Sequence, residues 1–127
     1  MKVPEELKYT EEHEWVKVEG DIAIVGITDF AQNELSDIVY VELPEVGKNI
    51  KKGDVIATVE AVKTVADVYS PVSGEIIEVN EKLKDEPSII NNDPYGEGWI
   101  AKVKMENPEE INALLDHAAY KKLVEEE

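Results

Sequence analysis

Cysteine is absent from the 127 residues. That excludes disulfides, thiolate nucleophiles and Cys-based metal sites, so any sulfur redox chemistry has to arrive on an attached group. Positive charge is scarce, with 13 basic against 29 acidic residues and a formal charge of −16. Such a field repels phosphate backbones and anionic lipid headgroups, so neither nucleic acid nor membrane partners are expected. Partners with basic docking surfaces are drawn in faster, although an acidic surface also serves solubility. No apolar run approaches the length of a membrane span. The opening Met1-Lys2-Val3-Pro4-Glu5-Glu6 has neither the apolar centre of a secretory signal nor the arginine-rich, acid-poor character of a transit peptide. A cytoplasmic protein is expected, or a mitochondrial-matrix chain whose presequence has been removed. Glycine-rich phosphate loops are missing, and Ser36, Ser70, Ser73 and Ser88 have no nucleophile setting. With no catalytic constellation, the chain reads as something other than an enzyme.

What is present centres on Lys63. It sits mid-run in Val59-Glu60-Ala61-Val62-Lys63-Thr64-Val65-Ala66-Asp67-Val68, where β-favouring residues flank one basic residue without a helical period. Lys51-Lys52-Gly53-Asp54 turns the chain before the incoming strand, and Ser70-Pro71-Val72-Ser73-Gly74 turns it after the outgoing one. The lysine is therefore expected at a hairpin tip, its ammonium clear of the protein and open to acylation by another enzyme. By itself a lysine in a turn is usually just a solvated residue.

The rest of the chain reads as short strands and turns. Glu14 to Val18 alternates around Trp15, and Glu19-Gly20-Asp21 leads into the apolar Ile22 to Ile27, giving a hairpin with a buried second strand. Thr28 caps a short helix through Phe30 and Leu35 that ends at Ser36 or Asp37. Ile38 to Leu43 is a strand closed by Pro44-Glu45-Val46-Gly47. Glu75 to Asn80 is another, and Glu81 to Asn92 reads as a loop pinned to the core by Ile89 and Ile90. Trp99 to Met105 returns as a strand with Trp99, Ala101, Val103 and Met105 on one face. From Asn107 the spacing of Ile111, Leu114, Leu115, Ala118, Ala119, Leu123 and Val124 predicts a helix capped by Asn107. Trp15 and Trp99 read as packing residues, and His13 and His117 as structural or surface groups far short of a ligand set. At this length a single domain is expected, with a core at about 8–105 and a helical extension at about 107–125. The architecture is mainly β, a small sandwich or flattened barrel of two antiparallel sheets with a short helix after the first hairpin and helices at the end.

Gly53 ten residues before Lys63 and Gly74 eleven after it resemble the frame of lipoyl and biotinyl carrier domains. Biotin carriers usually flank the lysine with methionine, whereas Val62 and Thr64 flank it here and Glu60 lies three before it. More of the chain is similar to the H proteins of the glycine cleavage system: Tyr9, His13-Glu14-Trp15-Val16, Gly26 to Gln32, Val41-Glu42-Leu43-Pro44, Ser70 to Glu75, Asn91, Pro94-Tyr95 and Gly98-Trp99. Ala61 and Ala66 depart from that pattern, which commonly has serine at both places. The resemblance implies a non-catalytic carrier with lipoate in amide linkage to Lys63, placed there by a lipoate ligase or a lipoyl/octanoyl transferase that reads Glu60, Val62 and Thr64. It implies a shuttle that takes an aminomethyl group from the pyridoxal-phosphate decarboxylase (P protein) to the aminomethyltransferase (T protein) and the reduced arm to dihydrolipoyl dehydrogenase (L protein). It also implies a monomer, and a cleft in which Glu14, Asp67 and Ile27 shelter the loaded arm. A carrier that relays lipoyl or octanoyl groups to other proteins, and an unmodified acidic binding domain, are the other readings.

Overall fold

Alternating apolar residues make strands that can each bury only one face, and a chain of such strands has to pair its faces. The computed structural model, which describes residues 1–126, does this with two antiparallel sheets. The larger runs in the order β1 (Lys8–Tyr9), β2 (Glu14–Glu19), β3 (Ile22–Ile27), β9 (Ala101–Met105), β8 (Gly74–Val79) and β5 (Asn49–Ile50). The smaller is β4 (Ile38–Glu42), β6 (Val55–Ala61) and β7 (Val65–Tyr69), with β6 in the centre. Val16, Val25, Ile76 and Val103 of the larger sheet and Val41, Val59 and Val68 of the smaller belong to one buried cluster. The arrangement is an open two-sheet sandwich, and it does not close into a barrel.

The β2–β3 hairpin turns at Gly20, whose φ of +63° is the left-handed conformation that glycine adopts without strain. Within it Trp15 lies opposite Gly26. The indole is buried and donates from Nε1 to the Pro94 carbonyl at 2.9 Å. Helix α1 (Asp29–Leu35) follows, and the Thr28 hydroxyl caps it by accepting from the Ala31 amide at 3.2 Å.

Three expectations need correction. The segment 81–92 is not a plain loop: it holds two single-turn helices, α2 (Lys82–Asp85) and α3 (Ile89–Asn92), because Leu83 and Ile90 each bury completely and draw a turn onto the core. Trp99 lies before β9, not on its inner face; it is partly buried, and the Lys102 ammonium sits 5.0 Å from its ring centre. The tail is not one helix from Asn107, which makes no side-chain cap. Pro108–Ala113 is a 3₁₀ helix, Leu114 is extended, and α4 (His117–Glu125) begins only after Asp116, whose carboxylate accepts from Ala119 N at 2.8 Å. The break follows from β1, where Tyr9 and Leu115 exchange backbone hydrogen bonds at 2.8 Å each way and so require extended chain there. Tyr120 of α4 then stacks on Tyr9 at 4.6 Å between ring centres. Among the described residues no helix is long and apolar enough to cross a membrane.

An added Cβ at Gly26 would lie 2.6 Å from Trp15 Nε1, whereas one at Gly20 meets nothing within 4 Å. Gly26→Ala is therefore expected to cost about 2 kcal/mol in urea unfolding by overpacking the indole. Gly20→Ala should cost about 1 kcal/mol, through backbone strain alone. Equal losses would contradict this packing.

Candidate functional site

Residues Val62 and Lys63 form the tip between β6 and β7. Glu60 pairs with Val65, and the Ala61 amide donates to the Thr64 carbonyl at 2.8 Å, closing a tight turn. Lys63 and Thr64 are exposed, and Val62 and Val65 are 68% and 57% exposed in spite of being apolar. Glu60 alternates with buried Val59 and Ala61, so it stands on the outer face of the small sheet, between Tyr40 of β4 and Val65 of β7. The tip is tied to the body where the Val62 amide donates to the Asp37 carbonyl at 3.0 Å.

The far end of the hairpin is fixed by the two turns expected to frame it. Gly53 N donates to Ser70 O at 2.8 Å and Ser70 N to Asp54 O at 2.7 Å. The Asp54 carboxylate accepts from Lys51 N at 2.8 Å, and Ser73 Oγ accepts from Lys52 N at 2.9 Å. Glu110 of the 3₁₀ segment closes the bracket, accepting from Ser73 N at 2.7 Å and Ser73 Oγ at 3.0 Å. Base and tip are thus both anchored, and the lysine projects from a held support.

Glu14 and Ile27 face each other across the β2–β3 ladder, and both are buried. Glu14 is only 2% exposed; its carboxylate accepts from the Thr10 hydroxyl and, at 3.2 Å, from the Tyr69 amide, joining β2 of the larger sheet to β7. Burial pushes its pKa above the ordinary carboxylate value, and the two hydrogen bonds only partly offset that. Asp67, two residues before Tyr69 on β7, is exposed and accepts from Thr58 Oγ1 at 3.5 Å. The structure therefore unites Glu14 with Ile27 and Tyr69, while Asp67 stays on the outer surface of the strand they abut. Open grooves lie elsewhere among the described residues. One of about 630 Å³ runs between Pro44, Val46 and Ile56, and another, of about 690 Å³, between Tyr40, Val46 and Lys84.

His13, next to Glu14, has φ +71° and bonds through Nδ1 to the Tyr120 hydroxyl at 2.8 Å, which also meets Thr28 Oγ1 at 2.7 Å. It is a structural residue, as expected. Sequence reasoning passed over Asp37, Tyr69 and Glu110, since two of them act through backbone atoms that carry no side-chain signature and the third acts over a separation of 37 residues.

A lone lysine on an anchored hairpin tip of the smaller sheet is a geometry suited to a carrier domain of the covalently modified, swinging-arm class. The sequence model of the family described as "Glycine cleavage H-protein" matches residues 7–127. The glycine cleavage system H protein of Symbiobacterium thermophilum is 58% identical over 118 residues, covering 93% of this chain and 92% of that protein. The probable glycine cleavage system H protein of Aeropyrum pernix is 59% identical over 115 residues, covering 91% and 80%. The crystal structure of the H protein from Mycobacterium marinum superposes with a TM-score of 0.89 at 38% identity, covering 97% of this chain and 99% of that one. The chain belongs to the glycine cleavage H-protein family. Members of that family are the lipoyl-bearing carrier subunits of the glycine cleavage system, with lipoate attached covalently to a lysine, and they work with its P, T and L proteins.

The raised pKa of Glu14 has a consequence for stability. Between the ordinary value of 4.5 and the higher value in the fold, the folded state keeps a proton that the unfolded chain loses. The contribution is full below that window and declines as pH rises through it. Urea unfolding followed upward from pH 4 should show a steeper decline for the native chain than for Glu14→Gln; parallel curves would contradict the assignment.

Proposed function

We propose that Lys63 is the residue that carries lipoate, in amide linkage to Nζ. The observation that carries this reading is an exposed lysine at the tip of a hairpin anchored at both ends. A lipoate ligase or a lipoyl/octanoyl transferase would bring the acyl group activated. The lone pair of the deprotonated amine attacks the carbonyl, the C–N bond forms, the activating group leaves and the amine proton is lost to base. Exposed Val62 and Thr64 beside the lysine, with Glu60 on the adjoining sheet face, are the features such an enzyme reads. Acylation removes the ammonium charge and leaves a long, mostly apolar arm.

When bound, lipoate supplies a redox-active disulfide that takes up the one-carbon unit and electrons from glycine and gives them up again. The chain supplies tethering, which replaces diffusion between partner enzymes by a high local concentration, and performs no catalysis of its own. Ile27 and Glu14, beside Tyr69, and Asp67 on β7 form the wall against which a returning arm rests. A buried carboxylate whose pKa burial has raised is one that a cation on the arm would draw back to its charged form. Residues 1–127 act as one carrier domain, with a core at about 8–105 and a helical extension at about 107–125, as a monomer in the cytoplasm.

Reconstitution with a P protein tests the reading. The lipoylated chain is expected to support glycine-dependent exchange of carbon dioxide and Lys63→Arg to support none; activity of Lys63→Arg after the same lipoylation treatment would refute it. In the chain carrying both Glu14→Ala and Asp67→Ala, the loaded arm should lose its one-carbon unit to water about tenfold faster, the equivalent of one charge-assisted hydrogen bond. Unchanged loss would remove the sheltering role.

A further inference from the structure

The turn that presents Lys63 meets the rest of the protein through the Val62 amide and the Asp37 carbonyl, 3.0 Å apart. Asp37 belongs to no regular element. It lies between Ser36, which ends α1 at φ +62°, and Ile38, the first residue of β4. A non-glycine residue in that conformation needs its surroundings to hold it. Ile38 pairs with Ala61, beside the Val62 amide, and the β4–β6 register shifts between Ile38 and Tyr40, so the first residue of β4 is set off from the regular ladder.

One side chain fixes both neighbours of Asp37. Asn91 Nδ2 donates to the Ser36 carbonyl at 2.7 Å and to Gln32 Oε1 at 3.0 Å, while Asn91 Oδ1 accepts from the Ile38 amide at 3.1 Å. Only this orientation of the amide matches a carbonyl on one side and an N–H on the other. Asn91 stands on the single turn α3, which buried Ile90 pins to the core. The path is continuous: core, Ile90, Asn91, the Ser36–Ile38 segment, the Asp37 carbonyl, the Val62 amide, Lys63.

We propose that Asn91 is the positioning residue for Lys63. By gripping Ser36 and Ile38 it sets the Asp37 carbonyl, and through that carbonyl the direction in which the lysine turn meets an acylating enzyme. Without it the tip keeps the Ala61–Thr64 bond, which travels with the tip, and the pairing of Ala61 with Ile38, a residue whose amide Asn91 itself holds. Small misplacements of a reacting group are costly in rate, so orientation of the amine matters to the enzyme that modifies it. The inference rests on the assignment of Lys63 as the acylated residue.

Two readouts on Asn91→Ala test it, with Asn80→Ala as the control. Asn80 is buried and bonds to the Glu97 and Trp99 carbonyls, so its loss destabilises the fold away from the turn. In Asn91→Ala, native-state hydrogen exchange of the Val62 amide is expected to quicken about tenfold relative to that of Val59, as for loss of one hydrogen bond. The kcat/KM for lipoylation by a lipoate ligase should fall about tenfold, while peptide-level labelling of Lys63 by a small amine-reactive ester is unchanged. Asn80→Ala should alter neither the Val62 to Val59 ratio nor kcat/KM. Unchanged Val62 protection in Asn91→Ala overturns the proposal, and so does lost protection with kcat/KM intact. If Asn91→Ala folds poorly, Asn91→Asp, which keeps the acceptor for Ile38 but cannot donate to Ser36, carries the same comparison. Were the native chain never acylated at Lys63, the attachment assignment would fall, while Val62 exchange would still decide whether Asn91 holds the turn.

Discussion

The pairing of β6 with β7 is the constraint on which presentation of Lys63 depends. A hairpin that ends in solvent frays unless its tip and base are both held. Here β6 is the middle strand of its sheet, so β4 supports it on the side away from β7. The base is held by backbone exchange between Ser70, Gly53 and Asp54, and the tip by the Ala61–Thr64 and Val62–Asp37 bonds. Strand β7 is an edge, which natural sheets have to protect. Glu14 takes its Tyr69 amide, and Asp67 places a charge on its outer face.

The C-terminal segment shares in that support. Glu110 grips Ser73 behind the hairpin base, while Tyr120 stacks on Tyr9 and bonds to His13 and Thr28. His13 precedes Glu14 and Thr28 follows Ile27, so one buried hydroxyl steadies both residues flanking the proposed arm wall. The Tyr95 phenol is protonated at neutral pH like any tyrosine, and burial moves its pKa further up, to about 12. It can then donate to the Lys2 carbonyl at 2.6 Å while accepting from the Asp29 amide at 2.9 Å.

Most strands were legible because their alternation is local, and the lysine turn because turn-forming residues bound it on both sides. The capping of α1 by Thr28 was legible for the same reason. The tail was not. Ile111, Leu114, Leu115 and Ala118 fit a helical period, yet the pairing of Leu115 with Tyr9, over a hundred residues away, breaks the helix and leaves Asp116 to start α4. The site was half legible. Lys63, Glu60, Val62 and Thr64 lie where turn chemistry puts them, but the burial of Glu14 is set by Thr10 and Tyr69 from separate elements. Asn91 showed only as part of a motif, since the two backbone groups it bonds are brought to it by folding.

All thirteen basic residues of the chain are lysines. Reactivity alone therefore does not single out one amine; on the proposed assignment the anchored turn does. Intact-mass and peptide mass spectrometry of the chain produced with a competent lipoate ligase and lipoate, beside Lys63→Arg, measures this directly. One lipoyl increment is expected, confined to Lys63 and absent from Lys63→Arg. Unmodified chain, or lipoate spread over several lysines, would contradict that assignment.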